Sequence, residues 1–138
     1  MRTLSLSFRI DNGSGGFASP TLTLDSEIAT YDITLKRICI TARDYSSSDY
    51  HRLIAIQLPF LNSISNNGSY PVNNTIVIPL PKDNAVSYTC NENYDVVNHA
   101  IPYQFDVKLF DYNGANSNNI PNHCYVSLIF EIDDIGTL

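Results

Sequence analysis

The chain has 138 residues, enough for one domain that hides roughly two-thirds of its unfolded surface around a single core. Hydrophobic residues make up 43% and charged residues only 16%, a balance that excludes a disordered chain. The net charge is -6, from 8 basic and 14 acidic residues, and the longest basic run is Lys36-Arg37. Nucleic acid and anionic membrane are therefore poor partners, since both need a basic stripe.

The opening "MRTLSLSFRI" sets Leu4, Leu6, Phe8 and Ile10 against Thr3, Ser5, Ser7 and Arg9. That alternation is a half-buried strand. It lacks the continuous apolar block of a secretory signal, so the expectation is a protein folded in a cytosol-like space. Gly13 to Ala18 then spell G-x-G-x-x-A. A dinucleotide turn must open a helix whose amides face the pyrophosphate. Here Ser19-Pro20 and a second alternating stretch, Thr21 to Asp25, follow instead. Residues 11–20 thus read as an inter-strand loop.

Ile33 and Leu35 begin a third strand, and Ile38 and Ile40 end it on the opposite parity. The slip at Lys36-Arg37 predicts a β-bulge. Ile54, Ile56, Leu58 and Phe60 mark a fourth strand, and Ile76, Ile78 and Leu80 a fifth. Val86, Tyr88 and Cys90 mark a sixth, Tyr103, Phe105, Val107 and Leu109 a seventh, and residues 124–132 an eighth. Residues 92–101, "ENYDVVNHAI", carry a weak one-sided pattern that suits a short helical turn. Asn- and Ser-rich segments separate the strands. The connections 61–73 and 111–122 are long, which favours crossing between sheets over simple hairpins. Pro59, Pro79 and Pro81 fall at strand ends, where a missing N–H costs least.

Eight strands with one apolar face each need a second sheet to cover that face. The expected fold is a single all-β, eight-stranded antiparallel β-sandwich over residues 1–138. A jelly roll ranks first, and a C2-like or immunoglobulin-like sandwich second.

No catalytic, cofactor-binding or metal-binding residue is assigned. His51, His99 and His123 lack ligand spacing. Asp25, Glu27, Asp44, Asp49, Asp133 and Asp134 form no calcium loop. Ser46 to Ser48 beside Asp49 and His51 read as a polar turn, and no nucleophile elbow is present. Glu27, Glu92 and Glu131 are too few to favour a glycosidase pair. Cys39, Cys90 and Cys124 are odd in number and far apart, so buried free thiols are expected. The sequons at Asn12, Asn67 and Asn73 read as Asn-rich turns. Tyr is the enriched aromatic, with 9 Tyr and no Trp. Tyr45, Tyr50, Tyr70, Tyr94 and Tyr112 fall in or beside loops, where they suit packing and interfaces first and sugar stacking second.

Three segments taken together, "HRLIAIQLPFLNS" at 51–63, "NTIVIPLP" at 74–81 and "IPYQFDVKLFDYNG…CYVSLIFEID" at 101–133, carry a resemblance. Their order resembles the single jelly-roll penton and minor capsid proteins of double-jelly-roll-lineage large DNA viruses and virophages. The resemblance implies a structural capsid subunit without enzymatic activity or cofactor, either a penton or a minor capsid or cement protein. It implies a homo-oligomer, commonly a pentamer, docked to other capsid proteins in a virion assembled in the host cytoplasm. No nucleic-acid contact and no membrane insertion are expected. The other reading is a carbohydrate- or ligand-binding sandwich.

Overall fold

The computed structural model describes residues 1–23, 30–43, 51–66, 71–81, 85–98, 103–111 and 123–136. Among the described residues twelve strands form, because five strands of two or three residues add to seven longer ones. They are β1 (Arg2–Asp11), β2 (Phe17–Ala18), β3 (Thr21–Leu22), β4 (Thr30–Arg43), β5 (His51–Gln57), β6 (Ile64–Asn66), β7 (Pro71–Asn73), β8 (Thr75–Pro81), β9 (Ala85–Asn98), β10 (Tyr103–Gln104), β11 (Val107–Asp111) and β12 (His123–Gly136). The first sheet has the order β1-β12-β4-β9 and the second the order β2-β11-β5-β8. Every pairing is antiparallel. Among these eight strands, each step along the chain changes sheet except β5 to β8, which are neighbours. That path is the jelly roll.

The core lies between the two sheets. Ile33, Leu35, Ile38 and Ile40 of β4, and Val126, Leu128 and Phe130 of β12, face Ile54 and Ile56 of β5 and Val107 and Leu109 of β11, all fully buried. An aromatic group closes one part of it. Phe60 packs edge-on against Phe105 at 4.6 Å and against Phe130 at 5.7 Å between ring centres. Phe130 belongs to the first sheet, while Phe60 and Phe105 lie beside the second. The contact therefore ties the layers together.

The parity slip in β4 is a bulge. Leu35 pairs with Phe130 and Arg37 with Ile129, which leaves Lys36 as the extra residue. Both members of the first pair point into the core and both members of the second point out. Lys36 then reaches along the outer face, donating to Asn91 Oδ1 over 2.6 Å and lying 3.6 Å from Glu131.

Other expectations are corrected. Residues 92–98 are not helical, because β9 runs through them to Asn98 opposite β4, with Tyr31 against Val97 and Ile33 against Tyr94. A long partner with open backbone groups outweighs a weak local stripe. Residues 11–20 are more than a loop. A 3-10 turn at Asn12–Ser14 leads to Gly15 and Gly16, both at φ +74°, and then into β2. The glycines serve this left-handed bend, with Gly16 N–H on the Asp11 carbonyl, and no helix follows. The expected seventh strand breaks at Phe105-Asp106, so that β10 pairs with β3 and β11 joins the second sheet. The connection 61–73 holds the β6–β7 ribbon. Pro79 sits within β8 rather than at its end, which is tolerated because β8 is an edge strand. All three cysteines are free, but only Cys124 is buried; Cys39 and Cys90 are half-buried. Residues 112–122 of the second long connection lie outside the described residues.

At one end of the first sheet, β1 and β12 bring Asp11 opposite His123. His123 Nδ1 lies 2.9 Å from Asp11 Oδ1, and Arg9 Nε lies 3.0 Å from the same oxygen. The hydrogen bond from His123, aided by Arg9, holds the Asp11 carboxyl below its ordinary 3.8. A carboxyl that is more acidic in the folded state contributes stability above its unfolded value and loses it as pH falls through the folded value.

Two outcomes follow from this packing. Phe130→Ala lowers the unfolding free energy by about 3–5 kcal/mol, whereas Phe17→Ala at the surface changes it by about 0.5 kcal/mol or less; urea denaturation of the two variants reads the difference. Asp11→Asn lowers the melting temperature at neutral pH, and the gap to the parent chain closes as pH drops below 3.8, as thermal melts across that range will record.

Candidate assembly surfaces

No group of three His, Cys, Asp or Glu that could hold a metal occurs among the described residues. Glu92 accepts from the Asn62 backbone N–H at 3.2 Å, and Glu131 is held by Lys36. Asp133 lies 3.7 Å from the Met1 amino group. These acids brace backbone and neighbouring charges. Burial, with the nearby Glu92 charge second, pushes the Cys90 thiol up to about 11, so it is a poor nucleophile. Asp25, Glu27, Asp44, Ser46 to Ser48, Asp49 and His99 lie outside the described residues, as do Tyr45, Tyr50, Tyr70 and Tyr112. His51 and Tyr94 lie in β5 and β9.

What the fold does present is two outer faces of opposite character. The register of the first sheet puts one family of side chains outward. Across β1, β12, β4 and β9 these form rows such as Ser7, Ser127, Cys39 and Ser87, and Ser5, Ile129, Arg37 and Thr89. Hydroxyls dominate, and they pair with one another: the Ser7 and Ser127 hydroxyl oxygens are 2.8 Å apart. This is the water-facing side that an alternating antiparallel sheet ordinarily shows.

The second sheet differs. Opposite its core residues, the register lines up Phe110 of β11, Ala55 of β5 and Val77 of β8, with Leu53 beside Pro79 in the next row. Ala55 is fully buried although it stands apart from the core between the sheets. Its cross-strand neighbours Phe110 and Val77 are half-buried. Leu53 remains 39% exposed and Phe17, at the far edge, 46%. The outer face of β5 and β8 is thus apolar across Leu53, Ala55, Val77 and Pro79, as in strands covered on both sides, and ends in the polar row of Lys108, Gln57 and Thr75. A contiguous apolar outer face on a small domain marks an interaction surface.

A groove of about 460 Å³ opens at one end of this face. Phe17, Leu58, Pro59 and Tyr103 form its apolar lining, and Gln57, Asn74, Asp106 and Lys108 its polar rim. The rim is positioned by the turns around it. Asn74 sits at φ 57° in the bend between β7 and β8. Asp106 accepts from the Ser19 hydroxyl at 2.8 Å, and Gln57 donates to the Asn73 carbonyl at 3.0 Å. Lys108 lies with its ammonium 5.6 Å from the centre of the Phe110 ring. An apolar floor with a few fixed polar groups is the usual form of an anchoring pocket.

None of these outward residues was singled out from the sequence. The signal was present as continuous apolar runs, "LIAI" at 53–56 and "IVIPLP" at 76–81, where a one-sided strand would alternate.

No protein-family model matches the chain, and no curated protein matches it in sequence. Solved structures do. A chain of the Nora virus structure superposes with a TM-score of 0.51 at 8% identity, over 99% of this chain and 58% of that one. This chain therefore spans little more than half of that neighbour. A chain from black queen cell virus gives 0.43 at 10% identity, over 99% of this chain and 72% of the other. The Drosophila NLP core, described for pentamer formation and histone binding, gives 0.38 at 12% identity, over 97% and 100%. What the Nora virus likeness establishes is the fold, an antiparallel jelly-roll sandwich found in a virus structure.

Proposed function

We propose that the chain is a structural protein of an icosahedral virus capsid. In this reading it is a penton or a minor capsid or cement subunit, and it acts by self-association and contact with neighbouring capsid proteins. The fold alone is compatible with many roles. The observation that carries this one is the apolar outer face of the second sheet, Leu53, Ala55, Val77, Pro79 and Phe110, on a jelly roll whose other face is polar. A sandwich that works alone in water has no use for a second apolar layer.

The chemistry of the rest supports the same reading. Assembly needs shape and apolar area rather than a reaction, and the acids and thiols described above are engaged in structural contacts. The groove beside Phe17 and Tyr103 has the size and lining to receive one side chain or turn of a neighbour. A net charge of -6 leaves genome contact to other proteins. The working location is the virion, with assembly in the host cytoplasm.

The test is the composition of particles. Mass spectrometry of purified icosahedral particles from the source of this sequence is expected to find the chain in fixed stoichiometry with the other capsid proteins. Substituting Leu53→Asp together with Val77→Asp is expected to lower incorporation at least about tenfold, as for loss of an interface anchor, with the far-ultraviolet circular dichroism spectrum unchanged. Absence of the chain from particles would overturn the reading, and so would undiminished incorporation of the double variant.

A further inference from the structure

Sheet edges leave backbone donors and acceptors open, and natural sheets defend them with prolines, charged side chains, very short strands or bulges. Among the described residues, three of the four edges of the two main sheets are interrupted by proline, brevity or bulges. The edge strand β8 holds Pro79 and Pro81. The edge strand β2 has two residues. The edge strand β9 is thrown out of register with β4 between Tyr31 and Ile33 and again between Leu35 and Arg37. The remaining edge is β1. It is ten residues long, contains neither proline nor glycine, keeps its charges (Arg2, Arg9 and Asp11) to its two ends, and pairs with β12 without interruption from Arg2 to Asp11.

The side chains of β1 are also incompletely covered. Leu4, Leu6 and Phe8 face the core and are half-buried, although Phe130, Leu128 and Val126 opposite them are fully buried. One more strand alongside β1 would cover all three.

We propose that this strand is β1 of a second copy, paired antiparallel about a two-fold axis at Leu6. The sequence of β1 is complementary to itself in that register. On the core side Leu6 meets Leu6 and Leu4 meets Phe8, so the half-buried residues face only one another, and at the ends of the contact the exposed Arg2 comes opposite Ile10. On the outer side Ser5 meets Ser7 and Thr3 meets Arg9. Hydroxyl stands against hydroxyl, as Ser7 and Ser127 already do within the chain, and no like charges oppose. The two first sheets become one continuous sheet across the axis. The contact uses a different surface from the apolar outer face and does not depend on the capsid role.

Register-specific charge tests it. Ser5→Lys with Ser7→Lys puts lysines directly opposite each other across the axis. Ser5→Lys with Ser7→Glu puts each lysine opposite a glutamate. Sedimentation velocity and native mass spectrometry are expected to show a dimer of the parent chain, weakened about tenfold in the first variant by two like-charged cross-strand pairs. The second variant is expected to dimerise at least as tightly as the parent. Hydrogen exchange on the unmodified chain supplies a readout free of folding defects, with β1 amides slowing as concentration rises. The proposal is overturned by a parent chain whose β1 amides exchange independently of concentration. It is equally overturned if the Lys/Lys variant dimerises as tightly as the parent, or if the Lys/Glu variant dissociates as the Lys/Lys variant does.

Discussion

The apolar contact between the two sheets organises everything else. Ile33, Leu35, Ile38 and Ile40 on one side and Ile54, Ile56, Val107 and Leu109 on the other are fully buried. Each such side chain contributes about 1.5–3 kcal/mol when taken out of water. Neither sheet can keep its inner face wet. Each long strand must therefore hold its register, since a slip of one residue would turn its whole apolar set to solvent. The bulge at Lys36 shows how strict this is. The residue is accommodated by local distortion, and the apolar residues on both sides of it stay inside.

That constraint explains why much of the architecture was legible in the sequence. The inward residues of the seven longer strands recur at every second position, and the parity change at Lys36-Arg37 is visible in the letters themselves. The jelly-roll ranking rested on strand count and long connections, and the sheet orders agree with it. Features decided by tertiary pairing were not legible. Residues 92–98 are poor in signal and become strand because β4 offers them backbone partners. Phe17-Ala18 is too short to show a period and is a strand only because it pairs with Val107 and Lys108. The break at Phe105-Asp106 accompanies Phe105 turning in to meet Phe60, which in turn meets Phe130, and no local pattern announces it.

The candidate surfaces were hidden for a different reason. A period-two reading looks for one apolar face and stops once it is found. In β5 and β8 that face is supplied by Ile54, Ile56, Ile76 and Ile78, and the residues between them were passed over. Yet Ala55 and Val77 interrupt the alternation that a solvated strand should show. Set beside β1, where Ser5 and Ser7 keep the alternation strictly, they mark the second sheet as the one whose outer surface is meant to be covered.

The same logic separates the two proposed means of association. On the apolar face, affinity comes from area and anchors, is insensitive to register, and suits partners of differing sequence. At the β1 edge it comes from backbone hydrogen bonds, which any strand can make. Specificity must then come from the side chains that alternate along it. Leu4, Leu6 and Phe8 inside, and Ser5 and Ser7 outside, pair well with a reversed copy of themselves. An edge left open in a chain that defends its other three edges is costly unless something occupies it, because an open edge invites indiscriminate pairing. The defended edges and the open one are therefore parts of one arrangement. In the proposed arrangement, lateral growth of the sheets is blocked at β2, β8 and β9 and directed to a single closed, two-fold contact, which leaves the apolar face free for other neighbours.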